Sequence, residues 1–105
     1  MDKDLASPKG FFSQNSVAEE VLELRSLYLE YLRGEVDTLR SLVARRDLEG
    51  IRELGHRLKG SGGSYGFHGI SDLGEAIQCL PDSAEWEKVE VLFHRLEEMY
   101  EDIAA

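Results

Sequence analysis

Apolar residues recur at steps of three and four along most of the chain. The first run is Val17, Val21, Leu24, Tyr28, Tyr31 and Leu32, continuing through Val36, Leu39, Leu42 and Val43. This is the period of a helix with one apolar face. Asn15 or Ser16 can cap its start, and Glu19 and Glu20 suit its first turn. Gly34 lies inside the run and marks a place for a bend before the helix ends around Arg45. Asp47 is a cap for a second helix, whose stripe is Leu48, Ile51, Leu54 and Leu58, with Gly55 beside it. A third, shorter stripe runs through Ile70, Leu73, Ile77 and Leu80 and is stopped by Pro81. Asp82 and Glu85 have the spacing of a capping box, ahead of a fourth helix carrying Trp86, Val89, Leu92, Phe93, Leu96, Met99, Tyr100 and Ile103. No window alternates as a half-buried strand does. Four such helices with short connections predict an all-α fold, an antiparallel four-helix bundle over residues 16–105. Residues 1–15, with Pro8 and Gly10, are read as a tail or short docking segment whose Phe11 and Phe12 cover one end of the core.

The segment Gly60-Ser61-Gly62-Gly63-Ser64 admits two readings. By composition it breaks the second helix. Alternatively it is the helix end, kept small so that something can approach closely.

Composition narrows the picture. With 105 residues there is room for one domain. A net charge of −9, with no basic run, turns the expectation away from nucleic acid and toward protein partners. The single cysteine, Cys79, has no partner for an internal disulfide and no companions for a zinc site; it is expected to be partly buried. No apolar run approaches the about 20 residues that span a bilayer, and the first residues lack a signal-peptide core, so a cytoplasmic protein is expected.

On a helical wheel with Ile51 at zero, Leu48, Leu54, Gly55 and Leu58 fall within about 60°, whereas His56 falls about 140° away. His56 therefore stands in solvent. Arg52 lies on the turn before it and Lys59 on the turn after, and Gly60 and Gly63 share its face. Imidazole, with an ordinary pKa of about 6.5, is mostly neutral at physiological pH and keeps one nitrogen lone pair. Such a nitrogen can attack phosphorus, and a neighbouring ammonium can neutralise the charge that arrives. Spacing alone does not separate this chemistry from an ordinary solvated helix face.

The run His56-Arg57-Leu58-Lys59-Gly60-Ser61, followed by Gly66, resembles the signature of histidine-containing phosphotransfer (HPt) domains. That signature is a histidine, any residue, then Leu-Lys-Gly-Ser, with a glycine six positions beyond the first. The likeness continues through Tyr65-Gly66-Phe67 into Leu73 and Ile77 and covers most of residues 17–103, its specific part lying in 54–78. The resemblance implies that His56 accepts the phosphoryl group and that Lys59 assists by charge. It implies that Gly60 gives room beside the ring and that Gly66 permits tight packing at the helix end. In the family the small-residue run continues the helix, so the second helix is expected to reach about Tyr65. The implied partner is the receiver domain of a response regulator, docking over Arg52, Gly60, Gly63, Ser64 and Gly66, with a sensor or hybrid histidine kinase upstream. No cofactor is expected on this chain, since the Mg²⁺ would belong to the receiver, and the expected state is a monomer. Gly62 and Gly63 depart toward a fraying helix end, Gln78 stands where the family often has an acid, and Gly34 lies where it often has a proline.

Two other classes compete. A helical adaptor that binds a protein without chemistry would need no acceptor, so its binding should survive His56→Gln. A metal site would have to draw on His68 or His94, and neither has ligand spacing. His68 is expected between helices and His94 on a half-exposed face. No P-loop, kinase glycine loop or Ser-His-Asp order is present, so autonomous kinase activity is not expected. A free-standing relay protein, a piece of a hybrid kinase and the acceptor domain of a chemotaxis-type kinase all fit the same residues.

Overall fold

A computed structural model describes residues 14–105, with side chains from residue 19 onward. The reading of Leu5, Phe11 and Phe12 as a core cover lies outside the described residues. Four helices follow in order: α1 (Gln14–Arg45), α2 (Leu48–Ser64), α3 (His68–Gln78) and α4 (Trp86–Ala104). Successive contacts run in opposite directions. Along α1 and α2, Tyr28 meets Ser61 and Glu35 meets Arg57. Along α1 and α4, Arg25 donates to the Ile103 carbonyl and Arg40 to Glu97. The fold is the all-α antiparallel four-helix bundle that the periodicity predicts.

The core is Tyr28, Leu32, Val36, Leu39 and Leu42 from α1, Ile51, Leu54 and Leu58 from α2, Ile70, Leu73 and Ile77 from α3 with Leu80 after it, and Val89, Phe93 and Leu96 from α4. The predicted stripe of α1 fails before Tyr28. Val21 and Leu24, expected in the core, are 59% and 52% exposed, and Tyr31 is 40% exposed. The reason is length. At 1.5 Å per residue the 32 residues of α1 span about 48 Å, against about 26 Å for the 17 of α2. The helical period continues past the point where partners end.

Local signals explain the helix ends. At the end of α1 the Asp47 amide donates to the Leu42 carbonyl and the Arg46 amide to the Val43 carbonyl, with Arg46 at φ 56°. This is a Schellman closure with arginine in the left-handed position that glycine usually fills. The Arg46 guanidinium lies 5.3 Å from the centre of the Trp86 ring, which offsets part of that strain. Asp47 caps α2 as expected, its carboxylate accepting from the Gly50 amide at 3.0 Å. The two other predicted caps fail. Asn15 and Ser16 are already helical residues of α1. Asp82 does not cap α4, whose N-cap Glu85 makes no side-chain cap bond, because its carboxylate is taken by Arg52. The helix runs unbroken through Gly34.

Of the two readings of the small-residue run, the helix end holds: α2 continues to Ser64, and Tyr65 is its C-cap. The Phe67 amide then donates to the Gly62 carbonyl and the Gly66 amide to the Gly63 carbonyl, a second Schellman closure. Gly66 has φ +82°, and a Cβ there would meet nothing within 4 Å. Its role is therefore backbone conformation, which corrects the expectation of tight packing. The turn is covered by a stack of rings, with Tyr28 4.8 Å from Tyr65 and 5.0 Å from Phe67.

Candidate functional site

The site is built on the seam between α2 and α3, which glycines hold unusually close. A Cβ on Gly74 would lie 2.4 Å from the Lys59 amide nitrogen and 2.7 Å from the Gly55 carbonyl oxygen. One on Gly55 would lie 2.6 Å from the Gln78 amide nitrogen, and one on Gly62 would lie 2.6 Å from that of Ser71. Here backbone rests on backbone. Gly62, expected to loosen the helix end, is buried and lets α3 seat. The seam is pinned further by the Ser71 hydroxyl, which donates to the Lys59 carbonyl at 2.9 Å.

His56 is exposed on the outer side of this seam, as the wheel predicts. Its Nδ1 is hydrogen-bonded to the side-chain amide of Gln78 at 3.1 Å. With the amide N–H donating, the ring proton sits on Nε2. With the amide turned over, Nδ1–H donates to the Gln78 oxygen and Nε2 carries the lone pair. A side-chain amide presents a donor and an acceptor from the same place, so Gln78 serves either tautomer. Sequence reasoning noted Gln78 only as a departure. The available signal was its position on α3, but its reach to His56 depends on the glycine seam.

Both predicted cations are engaged. Lys59 Nζ lies 2.7 Å from Glu75 Oε1 on α3, with both side chains about half exposed. The Glu75 carboxylate raises the Lys59 pKa and is itself lowered by the bond it accepts. Arg52 lines the same shallow hollow as His56, together with Glu49, Glu53, Arg57 and Gln78. Its guanidinium donates at 3.0 Å to the Leu80 carbonyl and at 3.0 Å to Asp82, tying α2 to the chain beyond α3. Arg57, unassigned within the signature, makes two 3.0 Å bonds to Glu35, a buried carboxylate that also accepts from the Tyr31 hydroxyl at 2.7 Å.

The small residues around the ring differ in kind. Gly60 is exposed, and a Cβ there would meet nothing within 4 Å. Gly63 is exposed, with only the Ser71 hydroxyl at 3.7 Å, and Ser64 is the exposed last residue of α2. Cys79 is exposed, not partly buried as expected. It follows the last helical residue of α3, where the chain turns outward. His68 is the exposed first residue of α3, and exposed His94 is hydrogen-bonded to Glu97 at 2.9 Å. No helix among the described residues is long and apolar enough to cross a membrane.

The signature histidine, followed after Arg57 by Leu-Lys-Gly-Ser, thus faces solvent on the second of four bundled helices. The Hpt domain profile matches residues 23–105, and the chain belongs to the Hpt domain family, the histidine phosphotransfer domains of two-component signalling. It is also similar to the aerobic respiration control sensor protein ArcB of Escherichia coli K12 and O157:H7 and of Shigella flexneri, at 37% identity over 62 residues in each case. That alignment takes in 59% of this chain and 8% of each sensor protein. No solved structure matches the chain.

Proposed function

We propose that this domain relays a phosphoryl group between a sensor or hybrid histidine kinase, or its receiver domain, and a response-regulator aspartate in the cytoplasm, with His56 as the residue that carries it. The observation that supports this reading most directly is the exposed His56 ring, oriented by Gln78 through one nitrogen and open at the other.

That geometry supports a transfer step in which the Gln78 amide is turned so that its oxygen faces the ring. With Nδ1–H donating to the Gln78 oxygen, the Nε2 lone pair attacks the phosphorus of an aspartyl phosphate. The P–N bond forms as the P–O bond breaks, and the aspartate carboxylate leaves with the electron pair. The ring becomes positive as the bond forms, and the amide oxygen at Nδ1–H stabilises that charge. Lys59 neutralises the arriving phosphoryl oxygens. Transfer onward is the same step reversed. The receiver supplies the Mg²⁺, and the space above Gly60, Gly63 and Ser64 is where it docks, with Arg52 and Gly66 at the edges of that surface. The domain acts as a monomer.

The test is transfer of radiolabel from a phosphorylated receiver domain or a cognate kinase to the wild type, His56→Gln and Lys59→Ala. Acid-labile label is expected in the wild type, none in His56→Gln, and slower labelling in Lys59→Ala with unchanged helical circular dichroism. Label retained in His56→Gln overturns the assignment.

A further inference from the structure

We propose that Glu75 is a positioning residue for phosphoryl transfer: it holds Lys59 across the α2–α3 seam while His56 is unmodified and yields it when His56 carries a phosphoryl group. This rests on His56 being the acceptor, as proposed above.

The geometry sets up two rungs between the same two helices. His56 of α2 meets Gln78 of α3, and three residues further along α2 Lys59 meets Glu75, three residues back along α3. An antiparallel seam requires that offset, and the backbone contacts of Gly55 and Gly74 fix its width. The first rung is a single exposed hydrogen bond at 3.1 Å. The second rung is an ion pair between side chains 48% and 56% exposed, so it can break without opening the core.

Lys59 and Arg52 flank the ring, but their restraints differ. Arg52 has a backbone carbonyl as well as a carboxylate, a fixed anchor at the end of α3. Lys59 has one exposed carboxylate at the end of a flexible stem, and its ammonium is a compact point charge that re-aims easily. Lys59 is therefore the cation free to answer a change at His56. A phosphoryl group brings about −1.5 to −2 charge where the carboxylate has one. At comparable distance the group of higher charge wins the ammonium. Glu75 makes and breaks no covalent bond. It sets where the ammonium waits, and by competing for Lys59 it makes phospho-His56 less favourable than it would otherwise be, which favours onward transfer.

The experiment uses phosphoramidate, which phosphorylates histidine directly with release of ammonia and needs no protein partner. Phosphohistidine survives in alkali, so the Lys59 ammonium can be titrated by NMR before and after modification, in the wild type and in Glu75→Gln. In the unmodified protein Glu75→Gln is expected to lower the Lys59 pKa. In the phosphorylated protein the same substitution is expected to leave it unchanged, because the phosphoryl group then holds the ammonium. The rate of His56 phosphorylation should rise about two- to three-fold in Glu75→Gln, the scale of one exposed ion pair. It should not rise when Glu75→Gln is added to Lys59→Ala. A Lys59 titration that responds equally to Glu75→Gln in both states, or a rate gain that persists without Lys59, overturns the proposal. Wild type labelled by phosphoramidate but never by a receiver would count against the relay and leave Glu75 in place. No label on His56 in any variant would remove the acceptor and this proposal together.

Discussion

Gly74→Ala puts the fold and the site under strain at one point. The new methyl group would lie 2.4 Å from the Lys59 amide nitrogen, 2.7 Å from the Gly55 carbonyl oxygen and 2.9 Å from the Leu58 carbonyl carbon. All three neighbours are backbone, so no rotamer change relieves the clash. Ordinary contact begins at 3.4 Å, so α3 must retreat from α2 by about 1 Å (3.4 minus 2.4). Overpacking of this kind costs about 1–3 kcal/mol, and rigid neighbours place it near 3. Replacing glycine by alanine inside a helix returns about 1 kcal/mol. The net loss is about 2 kcal/mol, a fall in Tm of about 8–16 °C for a domain this size. The retreat also carries Gln78 away from His56. A 3.1 Å bond lengthened by about 1 Å is no longer a hydrogen bond. Thermal melting by circular dichroism and phosphoramidate labelling of His56 read the two effects on one variant, the labelling done well below the lowered Tm. Both should fall. A variant that melts with the wild type would refute the close seam; because the retreat also loosens Lys59 from Glu75, the labelling is compared in the Glu75→Gln background, where an early-melting variant that labels as fast as Glu75→Gln alone would refute the dependence of His56 on Gln78.

Gly60→Ala should have the opposite sign in stability: its Cβ meets nothing, so Tm rises with a gain of up to about 1 kcal/mol, while transfer from a receiver slows because the methyl group enters the space the partner needs. Unchanged receiver transfer would move the docking surface elsewhere. Glu35→Ala leaves Arg57 and Tyr31 without their shared acceptor and should cost about 2 kcal/mol in urea unfolding, below the full penalty of a buried pair because Arg57 is half in water; a loss under about 0.5 kcal/mol would show that the network is idle. Glu97 accepts from His94 and from Arg40, and these bonds, that of His94 foremost, hold its carboxyl below the ordinary value of 4.5. A lowered carboxylate stabilises the fold above its ordinary pKa, and the contribution is lost as pH falls through the lowered one. The Tm difference between wild type and Glu97→Gln should thus shrink below about pH 4.5, where a constant difference would count against the pairing.

What was legible in the sequence is what one helix decides alone. The period of α2 placed Ile51, Leu54 and Leu58 inward and His56 outward, and Asp47 announced where that helix begins. The wheel also put Arg52 and Lys59 beside the ring, but it could not say what holds them. Asp82 and Glu75 come from chain 30 and 16 residues further on, and they arrive only because Gly55, Gly62 and Gly74 let α3 lie against α2. A glycine in a helix reads as a weakness until its neighbour is known, so the sequence suggests a fraying end at Gly62 and gives no signal at Gly74. The overestimate of the α1 core has the same origin. Val21 and Leu24 keep the helical period, but burial needs a partner helix as long as α1, and period carries no information about that.

The glycines therefore divide by what faces them. At Gly55, Gly62 and Gly74 a side chain would strike this chain's own backbone, so glycine there is a condition of the fold and, in the proposed relay, of the placement of Gln78 and Glu75 beside His56 and Lys59. At Gly60 and Gly63 a side chain would meet little or nothing of this chain, and helix propensity alone would favour alanine. Glycine at those positions stabilises nothing within the domain. In the proposed relay the space these open glycines leave beside His56 is what a docking partner would use, while the closed ones make the seam that brings Gln78 to the ring.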